Sequence, residues 1–475
     1  MSRSLADRHP RIVAALRPRL GVDPRALAAL RVALGLLVLA DLALRAPDLV
    51  AFYTDAGVLP RELLFDLYPT VGRLSVYALS GSVAWAAGLF ALTGLVALAL
   101  AVGYRSRAAA LALFLLLVSL HTRNLAVLNA GDSLLRRLLL WGVLLPLGTR
   151  WGLDAAPDAT AEERVVSVAT AGLLVQVLVV YLVNAVLKLR GSAWRSGEAV
   201  RLVFGVDALT VGLGDLLAGA PALLRLGAHA WLALLVASPL LLLATGRART
   251  ALVAAFAGGH LFMLATLRLG VFPLVSVAGL LPFLPPAVWD RLEARTARTA
   301  ARARTVRGRL PRPSSLPADR VRPAARAVAA VLLAFVLVWN AAGVGVVATP
   351  AAGTLDPTER RWDMFAPEPL STDGWYVPVG TTADGDRVDA LRGGDPVFRP
   401  ADSGDTYHSH RWYVYLTELR RGDRLREGFA AYLCARWERT HGTRLDSVTV
   451  VLVTREVRLD GPDRTQRRTV ASRKC

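Results

Sequence analysis

The stretch YLVNAVLKLRGSAW, residues 181–194, ends a long apolar run with a lysine that could act as a base. Lys188 and Lys474 are the two lysines of the chain, and the rest of its 56 basic residues are arginines. Tyr181, Asn184 and Lys188 are spaced i, i+3 and i+7, so on a helix they share one face. A polar stripe on an apolar helix faces protein or water rather than lipid. The spacing therefore predicts a polar site against this helix.

The choice of lysine at position 188 favours one kind of chemistry. A buried lysine can give up its proton and then accept one, whereas the guanidinium of arginine stays protonated in proteins. Because the chain uses arginine at nearly every other basic position, we expect Lys188 to be a general base. The alternative is that Lys188 extends to the lipid headgroups at the end of its helix, where an arginine would serve equally well.

Other charged residues also fall inside apolar segments. Asp132 and Arg136 are spaced i, i+4, and we expect them to form a buried ion pair, because an unpaired charge in a membrane is costly. Arg31 and Asp41 in the first apolar segment are expected to pair with other helices in the same way. His260 is either a hydrogen-bonded core residue or a functional group.

Neither the histidines near the C-terminus nor the cysteines predict a metal site. His408 and His410 have H-x-H spacing, but a zinc site needs at least a third protein ligand, so no metal is predicted. Cys434 is expected to be a buried free thiol and Cys475 a terminal one, because two cysteines do not make a disulfide framework.

The composition indicates a protein that crosses a membrane many times. The 475 residues are 54% hydrophobic, mostly in blocks, and the net charge is +19. The arginines lie between the apolar blocks, which is typical of topology-determining loops rather than of a basic nucleic-acid-binding domain. Glycine-rich phosphate loops and G-x-S-x-G elbows are missing from the sequence, so ATP-driven transport and hydrolase chemistry lack support.

We predict about nine spans, because a spanning helix needs roughly 20 mainly apolar residues. The windows are 26–44, 82–103, 107–120, 131–148, 165–188, 221–245, 249–268, 270–287 and 324–347. An arginine- and proline-rich segment separates the last two windows and should be cytoplasmic by the positive-inside rule. The N-terminus is then also cytoplasmic, the C-terminal tail lies outside, and the protein is a multi-pass plasma-membrane protein.

The predicted fold is an all-α polytopic membrane helix bundle with a small C-terminal α+β exterior domain. We divide the chain into a membrane domain at 1–290, a cytoplasmic linker at 291–323, a last transmembrane helix at 324–347 and the exterior domain at 348–475. In that last domain, alternating residues on both sides of a turn at 384–386 predict two strands, RWYVYLTELR and GFAAYLCARWERTHG predict helices, and SVTVVLVTREVRL predicts a closing strand.

Several segments resemble a known family. FYTDAGVLPR (52–61), NAGDSLLRRLLLWGVLLPLG (129–148) and WDMFAPEPLSTDGWYV (362–377) resemble the HTTM-domain membrane proteins of bacteria and archaea. That domain is similar to the membrane part of vitamin K-dependent gamma-glutamyl carboxylase. YLVNAVLKLRGSAW resembles a carboxylase stretch in which a helix begins with a tyrosine and ends with a lysine followed by a leucine. GGHLFMLATLRLGVFP (258–273) resembles a carboxylase segment that has a histidine near its start and a Gly-x-Phe near its end. His260, Gly270 and Phe272 match these positions.

The resemblance implies roles for individual residues. It places the carboxylase's catalytic base at Lys188 and a second catalytic residue at His260. A substrate or quinone pocket is expected to include the polar residues Tyr181, Asn184, Asn129, Asp132 and Arg136. One departure concerns the connection between the third and fourth spans, where the carboxylase has a histidine after paired asparagines and this chain has Ala130 after Asn129.

The resemblance also implies a cofactor and partners. The expected cofactor is a reduced quinone similar to vitamin K hydroquinone, and the expected activity is that of a quinol-dependent oxidase or carboxylase, a lyase of the carboxylase and epoxidase type. The partners are the lipid bilayer and an exported protein or peptide substrate, without nucleic acid. The alternative is a non-catalytic membrane scaffold or transporter, in which the polar stripe lines a path or joins helices.

Overall fold

The computed structural model describes residues 16–153, 155, 164–295, 318–348, 356–359 and 361–475. Most of these residues are helical. The principal helices are α1 (Pro24–Arg45), α2 (Val83–Val102), α3 (Ser106–Arg123), α4 (Ala130–Leu144), α5 (Val168–Arg190), α6 (Pro221–Val236), α7 (Gly246–Thr266), α8 (Phe272–Leu280), α9 (Pro286–Arg295) and α10 (Ala318–Gly343). Short helices lie between them at Leu49–Tyr53, Arg61–Leu67, Ser192–Ser196, Ala199–Phe204, Leu213–Ala218 and Leu240–Leu243.

Helices α1, α2, α4 and α5 each begin where the side chain of a polar residue caps the first turn of an apolar run. The Asp23 side chain accepts a hydrogen bond from the Arg25 amide at the start of α1, and Pro24 occupies the first helical position. Ser167 and Thr170 form a reciprocal capping box at the start of α5. These caps are local in sequence and mark where the capped helices start.

Six helices of the described residues are long and apolar enough to cross a membrane, and a seventh span results if the bent pair at α8 and α9 counts as one. The predicted count of about nine is therefore not confirmed. The 131–148 and 221–245 windows contain α4 and α6, which have 15 and 16 residues, fewer than the roughly 20 that a bilayer requires. The 270–287 window bends, because Phe272–Phe283 and Pro286–Arg295 meet at 104°. Most of the predicted linker, residues 296–317, lies outside the described residues.

Contacts between helix ends show which helix ends lie at the same end of the bundle. Arg25, at the start of α1, forms ion pairs with Asp290 and Glu293 of α9 at 2.7 and 3.1 Å. Arg249, near the start of α7, donates a hydrogen bond to the Pro18 carbonyl. The starts of α1 and α7 therefore lie together with α9, and the end of α1 lies at the opposite end of the bundle.

A four-stranded antiparallel sheet lies in the C-terminal region, residues 361–475. Its order is β2-β1-β3-β4, with β1 at Thr372–Thr382, β2 at Arg387–Asp389, β3 at Leu445–Glu456 and β4 at Arg464–Lys474. The strands predicted on both sides of the 384–386 turn are β1 and β2, and the predicted closing strand is β3. The polar strand β4 was not predicted, because its sequence RTQRRTVASRK lacks the alternation of a half-buried strand.

Two helices, α11 (His410–Glu418) and α12 (Asp423–His441), accompany this sheet. Both were predicted, and α12 ends at Gly442, which adopts a left-handed conformation with φ of 70°. The side chains of α11 and α12 join the same continuous core as the membrane helices. The C-terminal region therefore packs directly on the helix bundle.

A disulfide bond joins Cys434 of α12 to the terminal Cys475. The prediction of two free thiols is wrong. The pairing became possible because β4 runs antiparallel to β3 and returns the end of the chain to α12, an arrangement that depends on the unpredicted strand.

Candidate functional site

The helices line an apolar cavity of about 690 Å³, which we call the Lys188 cavity. Its walls come from α5, α6 and α7, the starts of α4, α8 and α11, the short helices at Ser192–Ser196 and Ala199–Phe204, and the 364–365 segment. Most of the lining residues are aliphatic or aromatic. The polar side chains in the wall are Asn129, Tyr181, Asn184, Lys188, His260, Thr266 and His410. The volume falls within the range of roughly 300–1,000 Å³ that is typical of small-molecule sites.

Lys188 lies at the end of α5 and is 2% exposed. Its Nζ donates hydrogen bonds to the main-chain carbonyls of Met364 and Phe365, at 2.9 and 3.2 Å. The same Nζ lies 3.5 Å from the centre of the Trp194 ring. The alternative in which Lys188 extends to the lipid headgroups does not agree with these contacts, because the side chain points into protein.

The 362–365 segment of the C-terminal region covers the end of α5. Asn184 Nδ2 donates to the Trp362 and Met364 carbonyls, at 3.2 and 3.3 Å. Trp194 Nε1 donates to the Phe365 carbonyl at 2.7 Å. The WDMFAP sequence, part of a segment that resembles HTTM proteins, thus provides main-chain hydrogen-bond acceptors to the polar face of α5.

His260 and Tyr181 form the second polar pair of the cavity. The Tyr181 hydroxyl and His260 Nε2 are 3.0 Å apart, and both residues are nearly fully buried. The His260 ring also packs edge-on against Trp231 and Phe272, with ring centres 5.5 and 5.7 Å away. His260 Nδ1 is buried and has no hydrogen-bond partner among the described residues. This nitrogen is therefore free to interact with a ligand.

Asn129 connects α4 to His410. Its Oδ1 accepts from the Asp132 amide, and its Nδ2 lies 2.8 Å from His410 Nε2. His410 belongs to α11, so the C-terminal region reaches the cavity wall beside Ala130. Burial, and secondarily the charge of Arg411, lower the pKa of His410 to about 3. The ring is consequently neutral at physiological pH.

Asp132 lies outside the cavity wall, in a buried ionic cluster. Its carboxylate binds Arg45 at 2.5 Å and Arg411 at 2.6 Å. Asp41 binds the same two guanidinium groups at 2.7 Å each. The cluster therefore joins α1 and α4 to the C-terminal region.

The predicted pairing of Asp132 with Arg136 is wrong. Arg136 Nη1 lies 2.5 Å from His121 Nδ1. The Asp132 carboxylate instead binds Arg45 and Arg411. Ligand-type atoms of Asp41, His121 and Asp132 lie within 4.8 Å of one another, but Arg45 and Arg411 bind both carboxylates. Arg31 donates to the carbonyls of residues 147, 150 and 151.

Of the predicted site residues, the structure brings Lys188, His260, Tyr181, Asn184 and Asn129 to one cavity and places Asp132 and Arg136 elsewhere. Sequence reasoning missed the contributions of His410, Trp194 and the carbonyls at 364–365. The H-x-H pattern drew attention to His410 only as a possible metal ligand. Its actual neighbour, Asn129, is 281 residues away, so local spacing could not reveal the contact.

Comparison with protein-family models gives a match to the HTTM domain over residues 20–289. Comparisons with curated proteins and with solved structures give no match. The matched segment is more than half of the 475-residue chain and contains α1 to α8. It includes Lys188 and His260 but not the 362–365 segment or His410. The HTTM domain is also found in vitamin K-dependent carboxylase.

Proposed function

Because this chain belongs to the HTTM domain family, we propose that it is a membrane enzyme that binds a reduced quinone in the Lys188 cavity. On this proposal Lys188 accepts a proton from the quinol, and His260 acts as a second proton-transfer group. The activity is that of a quinol-dependent oxidase or carboxylase. An exported protein or peptide is the substrate class for the carboxylase reaction.

The observation that carries the proposal is the composition of the cavity wall. Aliphatic and aromatic side chains suit the ring and isoprenoid tail of a quinone, and the few polar groups suit its oxygens. A bound quinol would supply reducing equivalents and an acidic hydroxyl. The donor set therefore fits the group that the family resemblance implies.

The contacts of Lys188 are compatible with a neutral amine. A neutral amine has two N–H bonds, and the carbonyls of Met364 and Phe365 accept both. Its lone pair then remains available for a proton from the cavity. An arginine in the same position could not take this role, because its guanidinium does not lose its proton.

Replacing Lys188 by arginine tests the proposal. Lys188→Arg should lower quinol-dependent oxygen uptake by the purified protein in lipid nanodiscs on the order of 100-fold or more, which is the usual contribution of a general base. Lys474→Arg is the matched control, since it changes the other lysine, at the exposed end of β4, and should leave uptake unchanged. Equal activity of Lys188→Arg and the unmodified protein would contradict the catalytic role.

A non-catalytic scaffold is the second candidate function, and the same hydrogen bonds favour it. Lys188, Asn184 and Trp194 all bind main-chain carbonyls of one segment, so they would also serve to hold the C-terminal region on the membrane helices. A scaffold predicts no quinol-dependent uptake even in the unmodified protein. A transporter predicts the same result together with movement of an apolar solute.

We infer further that the C-terminal region lies outside the cytoplasm. Two observations support this orientation. The Cys434–Cys475 disulfide is typical of an oxidising compartment. The arginine-rich sequence directly before α10 favours a cytoplasmic start for that helix, whose single crossing would bring residues 361–475 to the outer side of the plasma membrane.

A further inference from the structure

His410 is the polar residue of the Lys188 cavity that comes from outside the matched family domain. It begins α11, and four consecutive side chains there bind the membrane helices or their connections. Ser409 Oγ donates to Asp48 Oδ2 at 2.6 Å, and Trp412 Nε1 donates to Asp48 Oδ1 at 2.9 Å. Arg411 binds the ionic cluster described above, and His410 binds Asn129. The backbone at His410 is therefore held on both sides.

The hydrogen bonds of Asn129 determine which ring nitrogen of His410 carries the proton. Because Asn129 Oδ1 accepts from the Asp132 amide, its Nδ2 is the atom that faces the ring, and Nδ2 can only donate. His410 Nε2 is then the acceptor. The neutral ring consequently has its proton on Nδ1.

His410 Nδ1 is left without a partner. The atom is buried and makes no hydrogen bond among the described residues. The Arg268 main chain lies near the ring and acts to raise its pKa, against the lowering effects of burial and Arg411, but Nδ1 makes no hydrogen bond among the described residues. Buried N–H groups usually have an acceptor, so an unpaired one in a cavity wall is a candidate donor to a ligand.

The space around the ring is tightly defined. A Cβ atom added to Gly270 would lie 2.7 Å from His410 Cδ2, and Gly270 has a φ of 59°. The Tyr413 ring is stacked at 28° with its centre 6.3 Å away. The ring is thus fixed in orientation, as a group that positions a ligand must be.

We propose that His410 donates a hydrogen bond from Nδ1 to a carbonyl or hydroxyl oxygen of the cavity ligand, so that the C-terminal region supplies a positioning residue for it. The ligand class is an apolar ring system that carries oxygen. This inference rests on the proposed function, because it names a contact of the same quinone. It adds a recognition element that residues 20–289 do not contain.

The test compares two ligands that differ in their oxygens. Dissociation constants for 2-methyl-1,4-naphthoquinone and for 2-methylnaphthalene are measured by calorimetry on the full chain in nanodiscs. His410→Gln keeps a polar group near the Nε2 position but removes the Nδ1 donor. It should weaken quinone binding about three- to tenfold, as expected for one neutral hydrogen bond, and leave hydrocarbon binding unchanged. His408→Gln makes the same change at an exposed neighbour and should affect neither ligand.

The outcomes separate this inference from the proposed function. Unchanged quinone binding in His410→Gln, or an equal loss for both ligands, would overturn the role of Nδ1 while leaving the Lys188 proposal intact. Selective loss of quinone binding without any quinol-dependent oxygen uptake in the unmodified protein would support the His410 contact and overturn catalysis. Absence of quinone binding to the unmodified protein would overturn both.

Discussion

At the residue scale, the end of α5 is defined by the close approach of two main-chain segments. Lys188 and Asn184 can reach the carbonyls of residues 362–365 only because that segment lies directly against the helix end. Gly191 makes this approach possible. An added Cβ there would overlap the Pro367 carbonyl oxygen, and φ at Gly191 is −79°, so contact rather than backbone strain excludes a side chain.

Gly191→Ala should therefore destabilise the protein by displacing the 362–367 segment. Overpacking against a rigid backbone atom costs about 1–3 kcal/mol, which a lower midpoint of thermal unfolding would report. Gly219→Ala is the control, because an added Cβ meets no atom within 4 Å there and φ is −77°. Equal midpoints for the two variants would show that the segment is not held at Gly191.

At the element scale, the N-terminal turn of α11 joins the C-terminal region to the bundle. Its Arg411 is 4% exposed and contacts carboxylates on both α1 and α4. Burying charges is costly, and the cost is offset here because each carboxylate of Asp41 and Asp132 meets two guanidinium groups. Removing one partner leaves charge that the remaining groups do not balance.

Arg411→Met should weaken the attachment of the C-terminal region by about 3–5 kcal/mol, the usual cost of breaking a buried ion pair. Faster hydrogen exchange in α11 would report the loss. Arg421→Met provides the comparison, because Arg421 is 79% exposed in its pair with Glu418 and a surface pair contributes about 1 kcal/mol or less. Similar exchange rates in both variants would argue against the ionic cluster as the attachment.

At the scale of the whole molecule, the proposed orientation in the membrane rests on the compartment in which a disulfide is stable. The bridge spans a sequence separation of 41 residues, for which the chain-entropy treatment gives a stabilisation of about 4 kcal/mol. Because the chain has two cysteines and both are in the bridge, thiol labelling has no background.

A membrane-impermeant maleimide should not label intact cells until an impermeant reductant is added, because both thiols lie in an exterior disulfide. Labelling after reduction would be read as a shift in electrophoretic mobility. In Cys434→Ser, the exposed Cys475 should be labelled without reductant. Labelling that requires cell lysis would place residues 361–475 in the cytoplasm and contradict the proposed orientation.

The sequence by itself determined the features that depend on neighbouring residues. Long apolar runs indicated a helical membrane protein, because hydrophobic length is a local property of the sequence. The i, i+3, i+7 spacing placed Tyr181, Asn184 and Lys188 on one face, and all three line the cavity. Alternation and turn residues likewise predicted the first three strands. The predicted number of spans was not confirmed, because α4 and α6 are short and α8 and α9 meet at a sharp bend.

Only the tertiary structure decided which distant groups complete the site. Lys188 meets its carbonyl acceptor across 176 residues, Asn129 meets His410 across 281, and Asp41 meets Arg411 across 370. The sequence shows that each of these charged or polar groups needs a partner, but it does not show which residue that partner is. The selection depends on how the C-terminal region packs on the helix ends, and that packing is set by many apolar contacts that no short pattern encodes.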